Sequence, residues 1–74
     1  MKKENQSSFN NHIYFYRKRA KISQQDLANK VGVSRQTITQ LEKNRYNPSL
    51  LIAYNIAKIF QVSIEDIFIF TNDD

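Results

Sequence analysis

At 74 residues, with 11 Lys and Arg against seven Asp and Glu and a formal charge of +4, the chain has room for one domain with a modest core, so association with a second copy would be a source of stability. It has no cysteine, which excludes a disulfide framework and a thiolate metal site, and with no long apolar run or cleavable leader a cytoplasmic location and no membrane association are expected. The charge is uneven: all 11 cations and only three acids lie up to Lys58, whereas Ile59 to Asp74 carry four acids and no cation, a polarity suited to a polyanionic partner at one end of the domain.

Met1 to Ser8 is polar and aperiodic and reads as a flexible arm. Lys2 and Lys3 could touch a minor groove, although a charged terminal pair is most simply solvated. Residues 9–70 then read as one domain, and 71–74 as an acidic tail. Asn11 is placed to cap a first helix running to about Lys21, with Ile13, Tyr16 and Ala20 inward and Arg17 on the same flank. Lys18, Arg19 and Lys21 could reach phosphates, but a charge run on a short helix is usually a solvated face.

Ser23 opens the most informative window. It can cap a helix starting at Gln24, with Asp26 as box partner and Ile22 stapled to Leu27. Leu27, Ala28 and Val31 share one face, and Gly32, the only glycine, follows where a left-handed stop costs least. The signal repeats at once, with Val33 before Ser34 and with Thr37 and Ile38 in the box and staple positions, so a second helix begins at Arg35. A small residue such as Ala28 is what two helices crossing at so tight a turn need.

On that second helix Ile38 and Leu41 lie on one side, and Gln36, Thr39, Gln40 and Lys43 on the other. Amides, hydroxyls and cations suit base edges: Gln pairs bidentately with adenine, Arg with guanine, and a Thr methyl rests on that of thymine. Each residue singly is ordinary for any exposed face. The small residue, the glycine, two caps and the apolar spacing coinciding in one 20-residue window are the pattern of a helix-turn-helix that enters the major groove of double-stranded DNA.

Beyond Lys43, the run NRYNPS is turn chemistry, and Ser49 can cap a fourth helix over about Leu50 to Phe60 with Leu50, Ala53, Ile56, Ala57 and Phe60 inward and Tyr54 and Asn55 elsewhere. Ser63 and Asp66, flanked by Val62 and Ile67, repeat the cap for a short fifth helix. Ile67, Phe68, Ile69 and Phe70 form a continuous apolar run that needs cover on more than one side. A short strand from Ile69 pairing with Phe9, burial in a twofold dimer interface, or both would supply it; packing against the first helix, completed by Phe15, would cover one face. Glu42 lies close to the Ile38 and Leu41 face, where an unpaired carboxylate is costly, so Arg17 is expected to meet it as a structural ion pair.

From about residue 11 to 68 the chain resembles the phage Cro and repressor type of helix-turn-helix family, on Arg17, SQQDLA, VGVSRQTI, LEKNRYNPSL and VSIEDIF. KNRYNPS makes it especially similar to very small dimeric regulators of that type. Tyr16 is a departure, since the family usually has an aliphatic residue before the arginine. The resemblance implies the Arg17–Glu42 pair, Gln24 and Ser34 holding phosphates, Arg35, Gln36, Thr39 and Gln40 facing bases, and Lys43, Asn44, Arg45, Tyr46 and Asn47 gripping the backbone. The expected fold is all-α, a five-helix repressor-like DNA-binding domain, with a short β-strand pair from the two termini.

The function expected is a sequence-specific transcriptional regulator, a repressor that binds an inverted-repeat operator as a homodimer, with Ile67 to Phe70 at the dimer interface. The alternative is an antitoxin or adaptor that docks a protein on that surface and also binds DNA. RNA binding ranks lower, because the motif face lacks aromatic stacking platforms. No catalytic residue, cofactor or metal is expected: the single histidine, His12, has no partners, there is no glycine-rich phosphate loop, and Asp73 with Asp74 makes a poor cage.

Overall fold

Serines set the starts of four helices. The computed structural model describes residues 8–71. Within them Ser23, Ser34, Ser49 and Ser63 hold extended backbone while each hydroxyl accepts from the N–H three residues on, at 3.0, 3.1, 3.2 and 3.2 Å. Each bond satisfies a donor that the helix itself leaves without a partner. At Ser23 and Ser63 the serine N–H also reaches Asp26 and Asp66, at 3.5 and 3.1 Å, completing the expected boxes. At Ser34, Thr37 brings its own hydroxyl within 3.0 Å of the serine's.

In chain order the elements are β1 (Ser8–Asn11), α1 (Ile13–Ala20), α2 (Gln24–Val31), α3 (Arg35–Glu42), α4 (Leu50–Phe60), α5 (Ile64–Ile67) and β2 (Phe68–Thr71). This is the five-helix, repressor-like fold expected, and β1 and β2 form the antiparallel pair that joins its two ends. The strand begins at Phe68, so Phe9 lies opposite Phe70 and Asn10 opposite Ile69. Lys2 and Lys3 of the arm and Asp73 and Asp74 of the tail lie outside the described residues.

Gly32 ends α2 at φ 87°, its N–H on the Ala28 carbonyl at 2.8 Å. A Cβ there would meet nothing within 4 Å, so the glycine serves the left-handed backbone rather than space. Lys21 and Gln61 end α1 and α4 at φ 62° and 60°, stops that carry no glycine to announce them. At the other end of α1 the capping position is His12, without a side-chain bond, and Asn11 belongs to β1; its Oδ1 still accepts from the Ile13 N–H at 3.0 Å.

Ile13, Leu27, Ile38, Leu41, Ile56 and Ile67 are completely buried and form the centre of one core to which α1, α2, α3, α4, α5 and β2 all contribute. Tyr16 fits at its margin, half-buried and stacked on Phe60 with ring centroids 5.8 Å apart. Two side chains expected inside, Ala20 and Leu50, are not, nor is Phe15, which the packing of the apolar run against the first helix would have used. Ala20 is exposed, Phe15 is 55% exposed and Leu50 is 78% exposed. The fully buried stripe of α4 begins one turn later, at Ala53; in the first turn Ile52 packs against the core while Leu50 and Leu51 stay exposed among the described residues.

Ala28 is fully buried on α2, a helix that packs extensively against α3. Ala28→Leu should therefore destabilise the fold by about 1–3 kcal/mol through overpacking. A urea midpoint equal to that of the native chain would show that the α2–α3 packing has room for the larger side chain.

Candidate nucleic-acid interface

The reverse of α3 is anchored by Ile38 and Leu41, both completely buried, and this turns Arg35, Gln36, Thr39 and Gln40 to the opposite flank of the helix. Arg35 and Gln36 are exposed, and Thr39 and Gln40 half-buried. Ser34 at the start of the helix and Lys43, Asn44, Arg45, Tyr46 and Asn47 after its end are all exposed. The four residues expected to face bases thus share one surface, with the expected backbone-gripping residues at its two ends.

The predicted ion pair is present and central. Arg17 Nε meets Glu42 Oε2 at 2.7 Å and Arg17 Nη2 meets Oε1 at 3.2 Å, a bidentate contact, and Nη1 donates to the Ile22 carbonyl at 3.1 Å. Only 9% and 7% of the two side chains are exposed. The pair ties α1 and the turn before α2 to the last residue of α3 with charge-assisted bonds, so the angle of α3 is set from beneath.

Gln24, expected on a phosphate, turns mostly inward. Its Nε2 donates to Glu42 Oε1 at 3.0 Å, and its Oε1 accepts from Thr39 Oγ1 at 3.0 Å and Arg35 Nη1 at 3.4 Å. At most one amide proton remains for a phosphate. Asn44 is similarly committed: at φ 59° its Oδ1 accepts from Asn11 Nδ2 at 2.7 Å and its Nδ2 donates to Asn10 Oδ1 at 3.1 Å. Asn11 Nδ2 also donates to the Leu41 carbonyl at 2.7 Å, so β1 caps the C-terminal end of α3. That amide latch escaped the sequence reading, which saw Asn11 only as the start of α1; the pair Asn10 and Asn11 in a strand is its one visible sign.

Lys18 and Lys21, whose role the sequence left open, line a recess with Arg17, Ser23, Gln24, Gln25 and Arg35 at the start of α2. A helix N-terminus among cations favours an anionic oxygen. Of the run predicted for a dimer interface, Ile67 and Phe68 are buried within one chain, at 0% and 3% exposure, because α5 and β2 fold them onto the core. They are spent on the protomer and cannot also contact a second copy. Ile69, of the same run, stays 37% exposed, and further exposed apolar surface lies on α1 at Tyr14 and Phe15 and on the first turns of α4 at Leu50, Leu51 and Tyr54.

Comparison with known proteins agrees with this geometry. Residues 13–67 match the family model described as Helix-turn-helix, and the chain belongs to that family. It is 53% identical over 64 residues to an uncharacterised HTH-type transcriptional regulator of Methanocaldococcus jannaschii, covering 86% of this chain and 97% of the relative. A second protein of that description, from Archaeoglobus fulgidus, is 51% identical over 59 residues, covering 80% of this chain and 83% of its own length. Among solved structures, the P22 c2 repressor in complex with a synthetic operator superposes with a TM-score of 0.70 at 33% identity, covering 73% of this chain and 82% of that one. SinR in complex with DNA, a master regulator of biofilm formation, gives 0.67 at 31% identity, covering 73% and 87%; its DNA-binding domain is from Bacillus subtilis. The chain is a transcriptional regulator with a helix-turn-helix DNA-binding domain, a class that is not enzymatic.

Proposed function

We propose that the chain represses transcription in the cytoplasm by binding an inverted-repeat operator as a homodimer, each copy placing α3 in the major groove. The observation that carries this reading is the outward flank of α3, polar and uninterrupted by apolar residues at Arg35, Gln36, Thr39 and Gln40, with its apolar reverse buried. Those four read base edges, while Ser34, Lys43, Arg45, Tyr46 and Asn47, with Lys18 and Lys21, hold phosphates. One such helix reads too few base pairs for a unique site, and two copies reading half-sites about 34 Å apart remedy that. Occluding a promoter is the simplest action of a helix-turn-helix domain seated on such a site.

The uncovered first turns of α4 supply the seam. Leu50 and Tyr54 line a groove with Val62, Ile64, Lys58 and Glu65. Lys58 and Glu65 are of opposite sign, and a twofold axis across the groove sets the lysine of each copy against the glutamate of the other. Burying Leu51, 66% exposed in one chain, adds the apolar area that a single small domain lacks. The exposed face equally suits a partner protein of another kind, which would make the chain an adaptor; its oligomeric state in isolation decides between them.

Gln36→Ala and Gln40→Ala should each cost about 1–3 kcal/mol on the selected site and relax base choice there. Lys43→Ala and Arg45→Ala should weaken binding to every duplex alike and lower the salt slope by about one. Salt-dependent anisotropy titrations on the operator and on unrelated DNA check both. Equal losses on all sequences for the glutamine variants would contradict base reading.

A further inference from the structure

The bonds beneath α3 impose a direction on the hydroxyl of Thr39, and what this means for base choice rests on the DNA-reading role proposed above. The Arg17 guanidinium can only donate and the Glu42 carboxylate can only accept. Glu42 is held by Arg17 at 2.7 and 3.2 Å, so the Gln24 amide, 3.0 Å from Glu42 Oε1, must turn its NH2 group to that carboxylate. Its oxygen therefore faces α3, where Thr39 Oγ1 lies 3.0 Å away. The other neighbour of that hydroxyl is the Arg35 carbonyl oxygen, at 3.1 Å. Both neighbours accept and neither donates, so the single hydroxyl proton points into the protein whichever it chooses.

We infer that Thr39 is a specificity-determining residue that reads DNA without donating, and that Gln24 is the positioning residue that keeps its proton inside. What Thr39 offers the major groove is a methyl group and an acceptor lone pair. These suit the methyl of thymine and the amino groups of adenine and cytosine; purine N7, guanine O6 and thymine O4 are acceptors and gain nothing from it. A threonine free to rotate would serve donors and acceptors alike. The restriction comes from the network beneath it. Without Gln24 the remaining inward acceptor is the Arg35 carbonyl, which already takes the Thr39 N–H in the helix, a weak back-bond that the hydroxyl can leave.

The test uses the full chain on its selected duplex, at the base pair whose preference changes in Thr39→Val, with analogues that delete one group each. Deoxyuridine removes the thymine methyl, deoxynebularine the adenine amino group, and 7-deazapurine the N7 acceptor. Thermodynamic cycles of native chain against Thr39→Val separate the threonine from its neighbours. The native chain should lose about three- to tenfold more affinity than Thr39→Val when the amino group is removed, the scale of one hydrogen bond or less, whereas removing the thymine methyl should cost the two proteins alike, because valine keeps the γ-methyl. The 7-deazapurine penalty should be the same for both proteins. In Gln24→Ala, shown folded by its melt, a 7-deazapurine penalty tied to Thr39 should appear, and Thr39→Ser, which keeps the hydroxyl, should show none on the native background.

A 7-deazapurine penalty that depends on Thr39 in the native chain would overturn the inference, as would a Thr39→Val variant that changes preference at no position. Gln24→Ala that matches the native chain on every analogue would remove Gln24 from it. A native chain that selects no duplex would instead defeat the DNA-reading role itself, so the two failures are distinguishable.

Discussion

Replacing Arg17 by alanine should destabilise the domain by about 3–5 kcal/mol, the cost of leaving a buried carboxylate without its partner. The Glu42 side chain is 7% exposed, and without Arg17 it keeps only the Gln24 amide at 3.0 Å, while the Ile22 carbonyl loses its guanidinium donor. Small domains are stable by about 5–15 kcal/mol in all, so the variant should be largely unfolded in modest urea. Replacing Arg17 and Glu42 together by methionine should cost far less, because no buried charge remains. A single variant that melts with the native chain would mean that water reaches Glu42, and the rigid support claimed for α3 would be lost with it.

Leu51→Glu should abolish self-association and leave the fold intact. Leu51 is 66% exposed and Leu50 78% exposed in one chain, so neither contributes much to the core, yet across a twofold seam the new carboxylate is buried, and close to its own copy. Sedimentation should show a monomer for the variant and the proposed dimer for the native chain at the same concentration, with an unchanged melt once concentration dependence is removed. Operator affinity should fall by about 100-fold or more, because the second half-site is no longer delivered by the first. A Leu51→Glu dimer would place the seam elsewhere. A native monomer that forms a stable complex with a co-expressed protein would favour the adaptor reading.

The parts of the fold that could be read from the sequence are those decided within a few residues. Ser23 with Asp26, Ser63 with Asp66, and Gly32 after Val31 are local bargains between a backbone group and a side chain three or four positions away, and each forms as its spacing predicts. The polar flank of α3 follows from helical periodicity alone. The Arg17–Glu42 pair spans 25 residues and was still legible, because a carboxylate beside an apolar face requires a cation and Arg17 stands on the facing stripe.

What could not be read depends on what lies opposite. Periodicity marks Leu50 as apolar and in register with Ala53, but only the assembled chain shows that Leu50 is left exposed among the described residues. The run Ile67 to Phe70 demands burial without saying by what, and the strand pairing of Phe68 with Asn11 turned two residues expected at a dimer interface into core. The left-handed ends at Lys21 and Gln61 carry no local signature, and the contacts of Asn11 with Leu41 and Asn44 cross 30 and 33 residues. The family resemblance implies a phosphate for Gln24; the acceptor beneath it, Glu42, decides where its amide points.

The proposition that the polar flank of α3 reads base edges is tested most directly by selecting duplexes from a random pool with the purified chain at fixed, moderate salt. The result expected is an enriched inverted repeat, its half-site centres about 34 Å apart along the duplex, whose enrichment is lost in Gln36→Ala and Gln40→Ala. Recovery of the unenriched pool by the native chain, with binding that depends on salt alone, would contradict it.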